Sequence, residues 1–160
     1  MLDLFVYGSL KRGQQNFDRY CAGCIAAEPA RIAGRLYRQA DGYPMLVVPS
    51  QRAQALGTGD GAADVRTLAQ VRARKTPTDV DPPDGDWQWI EGEVFRYDTD
   101  IAARLAQLDV LEDFRPGAMS LYHRVIVAVL AESGPTWVWT YIAPHGKLPA
   151  GAIRMGSAWP

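Results

Sequence analysis

The sequence is poor in the residues that build metal and disulfide sites, with two cysteines and two histidines among 160 residues. A structural zinc site needs four ligands, and His123 and His145 match no common ligand spacing. No metal site is expected. The cysteines form a C-x-x-C, Cys21–Cys24. A thioredoxin-like site sets that motif at the start of a helix directly after a strand. Here a helical segment beginning near Gln14 leads up to the cysteines instead, so they are expected as two small, part-buried thiols. Long hydrophobic runs are missing too: the longest, Val125–Ala131, is far too short to span a bilayer. The first residues lack a basic segment, and Asp3 interrupts their apolar stretch, unlike a secretory signal. A cytoplasmic protein without a membrane segment is expected. Nor is there a basic excess: Lys and Arg total 17 against 18 Asp and Glu, for a net charge of −1. That leaves no overall charge to hold a nucleic-acid backbone.

Two catalytic motifs are present only in part. Gly8–Gly13 (GSLKRG) has the G-x-x-x-x-G half of a phosphate-binding P-loop, but Gln14 and Gln15 stand where lysine and a hydroxyl residue are required. Ser9 lies on a tight turn, yet the G-x-S-x-G elbow is absent and neither histidine has a place as its base. Nucleoside triphosphate chemistry and serine hydrolysis are both set aside.

The apolar content of 48% and charged content of 22% are those of a globular chain with a real core. A single domain over 1–160 is expected. Leu2–Tyr7 reads as a buried strand that runs into the small-residue turn Gly8–Gly13. Such a turn can aim several backbone N–H groups at an anion or a polarised carbonyl, or it can be an ordinary loop. Arg31–Arg38 alternates as a strand, with Pro29 breaking what precedes it. Asp41-Gly42 marks a turn, and Tyr43–Pro49 reads as a strand whose prolines place it at an edge. Residues 50–86 carry clustered glycines and prolines around a possible helix, Ala62–Lys75, and read as a mobile surface insertion. Trp87–Tyr97, Met119–Ala131 and Thr136–Ala143 are further strands, the last two joined as a hairpin by Ser133–Pro135. The tail after Pro144 is expected to drape over the body. Hairpins dominate, so the class is α+β with a curled, mostly antiparallel sheet or small barrel.

The informative helix is Asp100–Asp113. At 100° per residue, Ile101, Leu105, Leu108 and Glu112 share an arc of about 60°. A carboxyl thus lies on the stripe that should face the core. Burial without a partner raises a carboxyl pKa toward the range useful for proton transfer. Alternatively, Glu112 sits at a frayed end in water, or pairs with Arg115 or Arg124. Glu93 ranks second as an inward carboxylate. Asp109 and Asp113 fall off the stripe and are expected in solvent. Tyr122 and Tyr141 each lie on an apolar strand face, either to orient a substrate or as core aromatics with satisfied hydroxyls.

Several pieces together resemble a known family. Phe5–Gly13 (FVYGSLKRG), Gly34–Tyr37 (GRLY), Tyr43-Pro44, Glu91–Phe95 (EGEVF), Leu108–Glu112 (LDVLE), Tyr122–Arg124 (YHR) with Val125–Val129, and Trp139–Tyr141 (WTY) occur in order. The set is similar to the γ-glutamylcyclotransferase-like proteins, which include γ-glutamylamine cyclotransferases and plant avirulence-induced-gene relatives. The resemblance implies a small mixed, mostly antiparallel β-barrel with flanking helices. It implies that the loop Tyr7, Gly8, Ser9 and Leu10 holds a γ-glutamyl group through backbone groups, and that Glu112 is the acid/base. The expected reaction releases 5-oxoproline from a small γ-glutamyl compound without metal or cofactor. The competing class is a non-catalytic ligand-binding or interaction module of the same fold. A Glu112 that shares a cavity with the Tyr7–Leu10 turn favours the enzyme. The 50–86 segment and the cysteine pair are departures from the family pattern.

Overall fold

The first strand, β1 (Leu2–Val6), is buried along its whole length. Its alternating side chains feed two separate cores. Leu2, Leu4 and Val6 point one way, and Phe5 followed by Tyr7 the other. The computed structural model describes residues 1–160. After β1 come α1 (Phe17–Tyr20), β2 (Ala26–Arg38), β3 (Pro44–Val47), β4 (Ala55–Leu56), α2 (Gly61–Arg74) and β5 (Gln88–Tyr97). They are followed by α3 (Ile101–Leu111), β6 (His123–Ala131), β7 (Gly134–Ile142) and β8 (Ile153–Arg154).

The strand order is β3-β2-β5-β1-β7-β6-β4, and β2 also pairs with β6, so β2, β5, β1, β7 and β6 close into a five-stranded barrel. Closure rests on Ala30 opposite Ala131 and Arg31 opposite Leu130. Only the β1–β7 pairing is parallel. The fold is therefore an α+β mixed barrel with flanking helices. Inside it pack Phe5, Ile32, Ile90, Val94, Val127 and Val138. Leu4, Phe95 and Trp139, from the outer wall, meet Leu105 and Leu108 of α3 and Leu68 of α2.

Several boundaries differ from the sequence reading. β2 begins at Ala26 and runs through Pro29, which sits opposite Glu93 in the β2–β5 ladder. Proline is tolerated there because its carbonyl still accepts the Glu132 N–H at 3.0 Å, and that bond needs no N–H from Pro29. The strand expected from Met119 begins only at His123. Before it, Phe114 N–H returns to the Asp109 carbonyl and Leu121 N–H to the Asp113 carbonyl, forming a loop around Pro116 and Gly117. The edge position of β3 and the turn at Asp41-Gly42, with Gly42 at φ 94°, agree with expectation.

Residues 50–86 do not form an appendage. β4 pairs with β6, and α2 places Leu68 at 1% exposure in the outer core. Asp60 caps α2 by accepting the Ala63 N–H at 3.0 Å. Sequence periodicity undervalued this helix because its one buried apolar anchor is accompanied by a buried charge, Asp64. The stretch after α2 holds no buried residue, and there Asp79 reaches Arg52 with its side chain 80% exposed. Leu68→Ala is expected to lower unfolding free energy by about 2–4 kcal/mol. Asp79→Ala should change it by less than about 0.5 kcal/mol. Urea denaturation of the two variants checks the contrast; equal midpoints would mean that α2 is not part of the core.

Candidate active site

One cavity of about 260 Å³ opens where the barrel wall meets α3. The parallel placement of β1 beside β7 carries the turn after β1 to its floor. Tyr7, Gly8, Ser9 and Leu10 line it, and Glu112 faces it from the end of α3. Close packing forms the turn: a Cβ at Gly8 would overlap the Pro44 ring, so no larger residue fits there. Asn16 fixes it from the other side, donating its backbone N–H to the Ser9 carbonyl and its Nδ2 to Ser9 Oγ, each at 3.0 Å. The N–H groups of Gly8, Ser9 and Leu10 find no acceptor within the protein. They are free donors beside a cavity whose only charged lining residues are Asp41 and Glu112. An anionic or carbonyl oxygen placed there would be bound by backbone N–H groups rather than by a side-chain cation.

Glu112 is the C-cap of α3, with its N–H still bonded to the Leu108 carbonyl at 2.9 Å. The helical register thus holds to its last residue, and the carboxyl stays on the stripe of Leu105 and Leu108. No protein donor bonds it. Arg115 pairs with Asp113, and Arg124 pairs with Asp64 and Asp109, so neither alternative ion pair forms. Burial raises the Glu112 pKa from 4.5 to about 7. The carbonyl end of the helix acts in the same direction, since it disfavours an added negative charge.

Asp109 is the clearest departure from expectation. It is 8% exposed and not in solvent. Arg124, fully buried on β6, donates Nε to Asp109 Oδ1 at 2.7 Å and Nη2 to Oδ2 at 2.9 Å. The same Nη2 reaches Asp64 Oδ2 of α2 at 2.8 Å, and Tyr141 donates its hydroxyl to Asp109 Oδ1 at 2.7 Å. Helical periodicity placed Asp109 off the α3 stripe, but a second element, α2, covers that flank. A buried carboxylate is sustainable there because a bidentate arginine meets it.

The predicted tyrosines are brought to the cavity with their hydroxyls already engaged. Tyr122 donates to the Pro44 carbonyl and accepts from Gln39 Nε2 at 2.7 Å. Tyr7 donates to the Tyr141 carbonyl at 2.8 Å. Their rings and that of Tyr141 form wall. Glu93 is not brought in; it is bound by the Arg12 N–H and Nε at 3.0 and 2.6 Å, outside the cavity. Both cysteines are free, and burial pushes the Cys21 thiol up to about 12. Sequence reasoning missed Asn16, Asp41 and Leu121 as lining residues. Asn16 carries no local signal, because its role depends on the turn folding back seven residues.

A family model for γ-glutamyl cyclotransferase, AIG2-like proteins matches residues 4–59 and 51–159. The chain belongs to that family. The junction of the two matches falls at the head of the 50–86 segment. Among solved structures, an AIG2-like protein from Mus musculus superposes with a TM-score of 0.51 at 20% identity, covering 93% of this chain and 80% of the mouse protein. YkqA from Bacillus subtilis gives a TM-score of 0.52 at 22% identity over 94% of this chain. This chain spans 38% of the length of YkqA. At these identities the structural likeness establishes the fold. No curated protein matches the sequence. No helix of this family member is long and apolar enough to cross a membrane.

The raised pKa of Glu112 has a stability consequence. The folded state holds the proton more tightly than the unfolded chain. Stability therefore falls as pH rises from about 4.5 to about 7, and the loss is complete above that. The shift corresponds to at most about 3 kcal/mol, reduced by the partial exposure of the carboxyl. Glu112→Gln is expected to remove this slope and to be more stable than the parent at pH 8. Parallel thermal melts at pH 5 and pH 8 measure it, and an unchanged slope would mean that Glu112 is solvated.

Proposed function

We propose that the protein is a γ-glutamyl cyclotransferase that converts a small γ-glutamyl compound to 5-oxoproline and a free amine or amino acid. One observation carries this reading: an unpartnered carboxyl with a pKa near 7 shares a cavity with three unused backbone N–H groups. Family membership supports the reaction class.

The substrate supplies both reacting groups. Its α-amine attacks its own γ-carbonyl carbon, so ring closure needs no second molecule and costs little further entropy. Glu112 as carboxylate takes a proton from the amine. The new C–N bond closes a five-membered ring, and negative charge develops on the γ-carbonyl oxygen. The N–H groups of the Gly8–Leu10 turn are suited to binding the α-carboxylate or that developing charge. The γ-carbon's bond to the departing nitrogen then breaks, and the protonated Glu112 returns its proton to that nitrogen. A carboxyl with a pKa near neutrality can both accept and return the proton at physiological pH. The residues described here supply the base, the donors and an apolar wall, which suffices for this sequence of steps without a metal or cofactor.

Glu112→Gln is expected to abolish 5-oxoproline release, by about 10³-fold or more, with the fold retained by circular dichroism. Near-parental turnover would sink the assignment. In the parent, kcat/KM is expected to rise with pH through about 7, as Glu112 ionises. A profile flat across pH 6–8 would exclude Glu112 as the base. Chromatographic detection of 5-oxoproline from a panel of γ-glutamyl compounds provides both measurements and identifies the departing amine.

A further inference from the structure

The cavity continues outward into a polar groove of about 380 Å³. The two share Ser9, Asp41, Tyr43 and Pro44, and the groove adds Gln14, Gln15, Gly42 and Trp159. Its far wall is built by the carboxyl-terminal segment, which lies over the body as expected and is tied to it by backbone hydrogen bonds. β8 pairs with β2 at Tyr37 and Arg38, Met155 N–H binds the Leu36 carbonyl at 2.8 Å, and the Ser157 carbonyl accepts the Glu91 N–H at 2.8 Å. The segment then crosses to the turn that bears the free N–H groups. Lys11 Nζ donates to the Trp159 carbonyl at 3.0 Å, and Gln14 Nε2 to the Pro160 carbonyl at 3.1 Å.

The groove's chemistry is specific. Trp159 packs against the barrel core, with the Arg38 guanidinium 5.2 Å from its ring. Its indole N–H finds no acceptor in the protein, and Gln15 makes no side-chain hydrogen bond. Lys11 and Arg38, the cations at Trp159, are occupied by its carbonyl and its ring. The groove thus offers the Trp159 indole, the free Gln15 amide and the Asp41 carboxylate in line with the cavity that holds Glu112. A short alkyl amine would leave these groups unused. A longer amine bearing its own hydrogen-bonding groups would meet them.

We propose that this groove is the subsite for the departing amine, and that Trp159 and Gln15 select leaving groups that extend beyond the reacting nitrogen with polar, hydrogen-bonding functions. The inference rests on the γ-glutamyl reading of the cavity. Trp159 lies outside the reacting atoms and acts by positioning.

The test uses two neutral compounds, γ-glutamylmethylamide and the γ-glutamyl amide of glycylglycinamide. Their dissociation constants are measured by calorimetry on the Glu112→Gln protein, with and without Trp159→Ala or Gln15→Ala. The long compound is expected to bind at least 10-fold tighter than the short one, with either added substitution reducing that ratio by 5-fold or more. Trp159→Phe, which keeps the ring packing but removes the N–H, is expected to give an intermediate ratio. Equal affinities for the two compounds, or a ratio unmoved by the substitutions, overturns the groove while leaving the cavity reading intact. Absence of binding by both compounds overturns both. A ratio that behaves as expected alongside no 5-oxoproline release by the parent supports the groove as the site for the group on the γ-nitrogen and overturns its role toward a departing amine together with the catalytic reading.

Discussion

The Arg124 guanidinium is the interaction on which the site depends. It is fully buried and joins three elements distant in sequence: Asp109 on α3, Asp64 on α2 and its own strand β6, with Tyr141 of β7 closing the set on Asp109. An unpaired guanidinium at that depth would be untenable, so the helices must dock where their carboxylates reach it. Even the backbone is adapted to it, since a Cβ at Gly57 would stand 2.9 Å from Arg124 Cζ. Asp109 lies three residues before Glu112, so anchoring one also sets the position of the other.

The same arrangement keeps Arg124 engaged with Asp109 and Asp64 and leaves Glu112 without a cationic partner. A free guanidinium would favour the carboxylate and pull the pKa down. Here two aspartates already pair with Arg124, and burial raises the Glu112 pKa with no cation to oppose it. The fold thus holds two kinds of buried acid. Asp64 and Asp109 are paired with Arg124, whereas the Glu112 carboxyl has no hydrogen-bond partner in the protein. The stability cost of the second kind is offset by a core large enough to bear it.

Much of this was legible in the sequence wherever one element decides the outcome. The apolar run of Leu2–Tyr7 and the alternating faces of Trp87–Tyr97 announced the wall, and the 3.6-residue period placed Glu112 on the inward stripe. What escaped were features fixed by two elements at once. Asp109 looks solvated on α3 alone and becomes buried only when α2 is laid beside it. Residues 50–86 read as an insertion because their glycines and prolines dominate the pattern, while Leu68 and Asp64 reveal their partners only in three dimensions. Tyr122 and Tyr141 were open to either reading, and the carbonyl and carboxylate that receive their hydroxyls come from elsewhere in the fold.

The proposed reaction explains the composition of the cavity through what a neutral-pH proton shuttle tolerates. A side-chain cation on the floor would hold a substrate carboxylate well, but it would also stabilise Glu112 as an anion and weaken it as a base. Backbone N–H groups bind an anion with partial charges only, so they disturb a neighbouring carboxyl less. The turn after β1 supplies such donors because Gly8 lets it press against Pro44 and Asn16 ties down Ser9. The absence of lysine and arginine from the cavity lining is therefore coupled to the pKa of Glu112. In the proposed reaction, such a turn would bind the substrate's anion without lowering the basicity of Glu112.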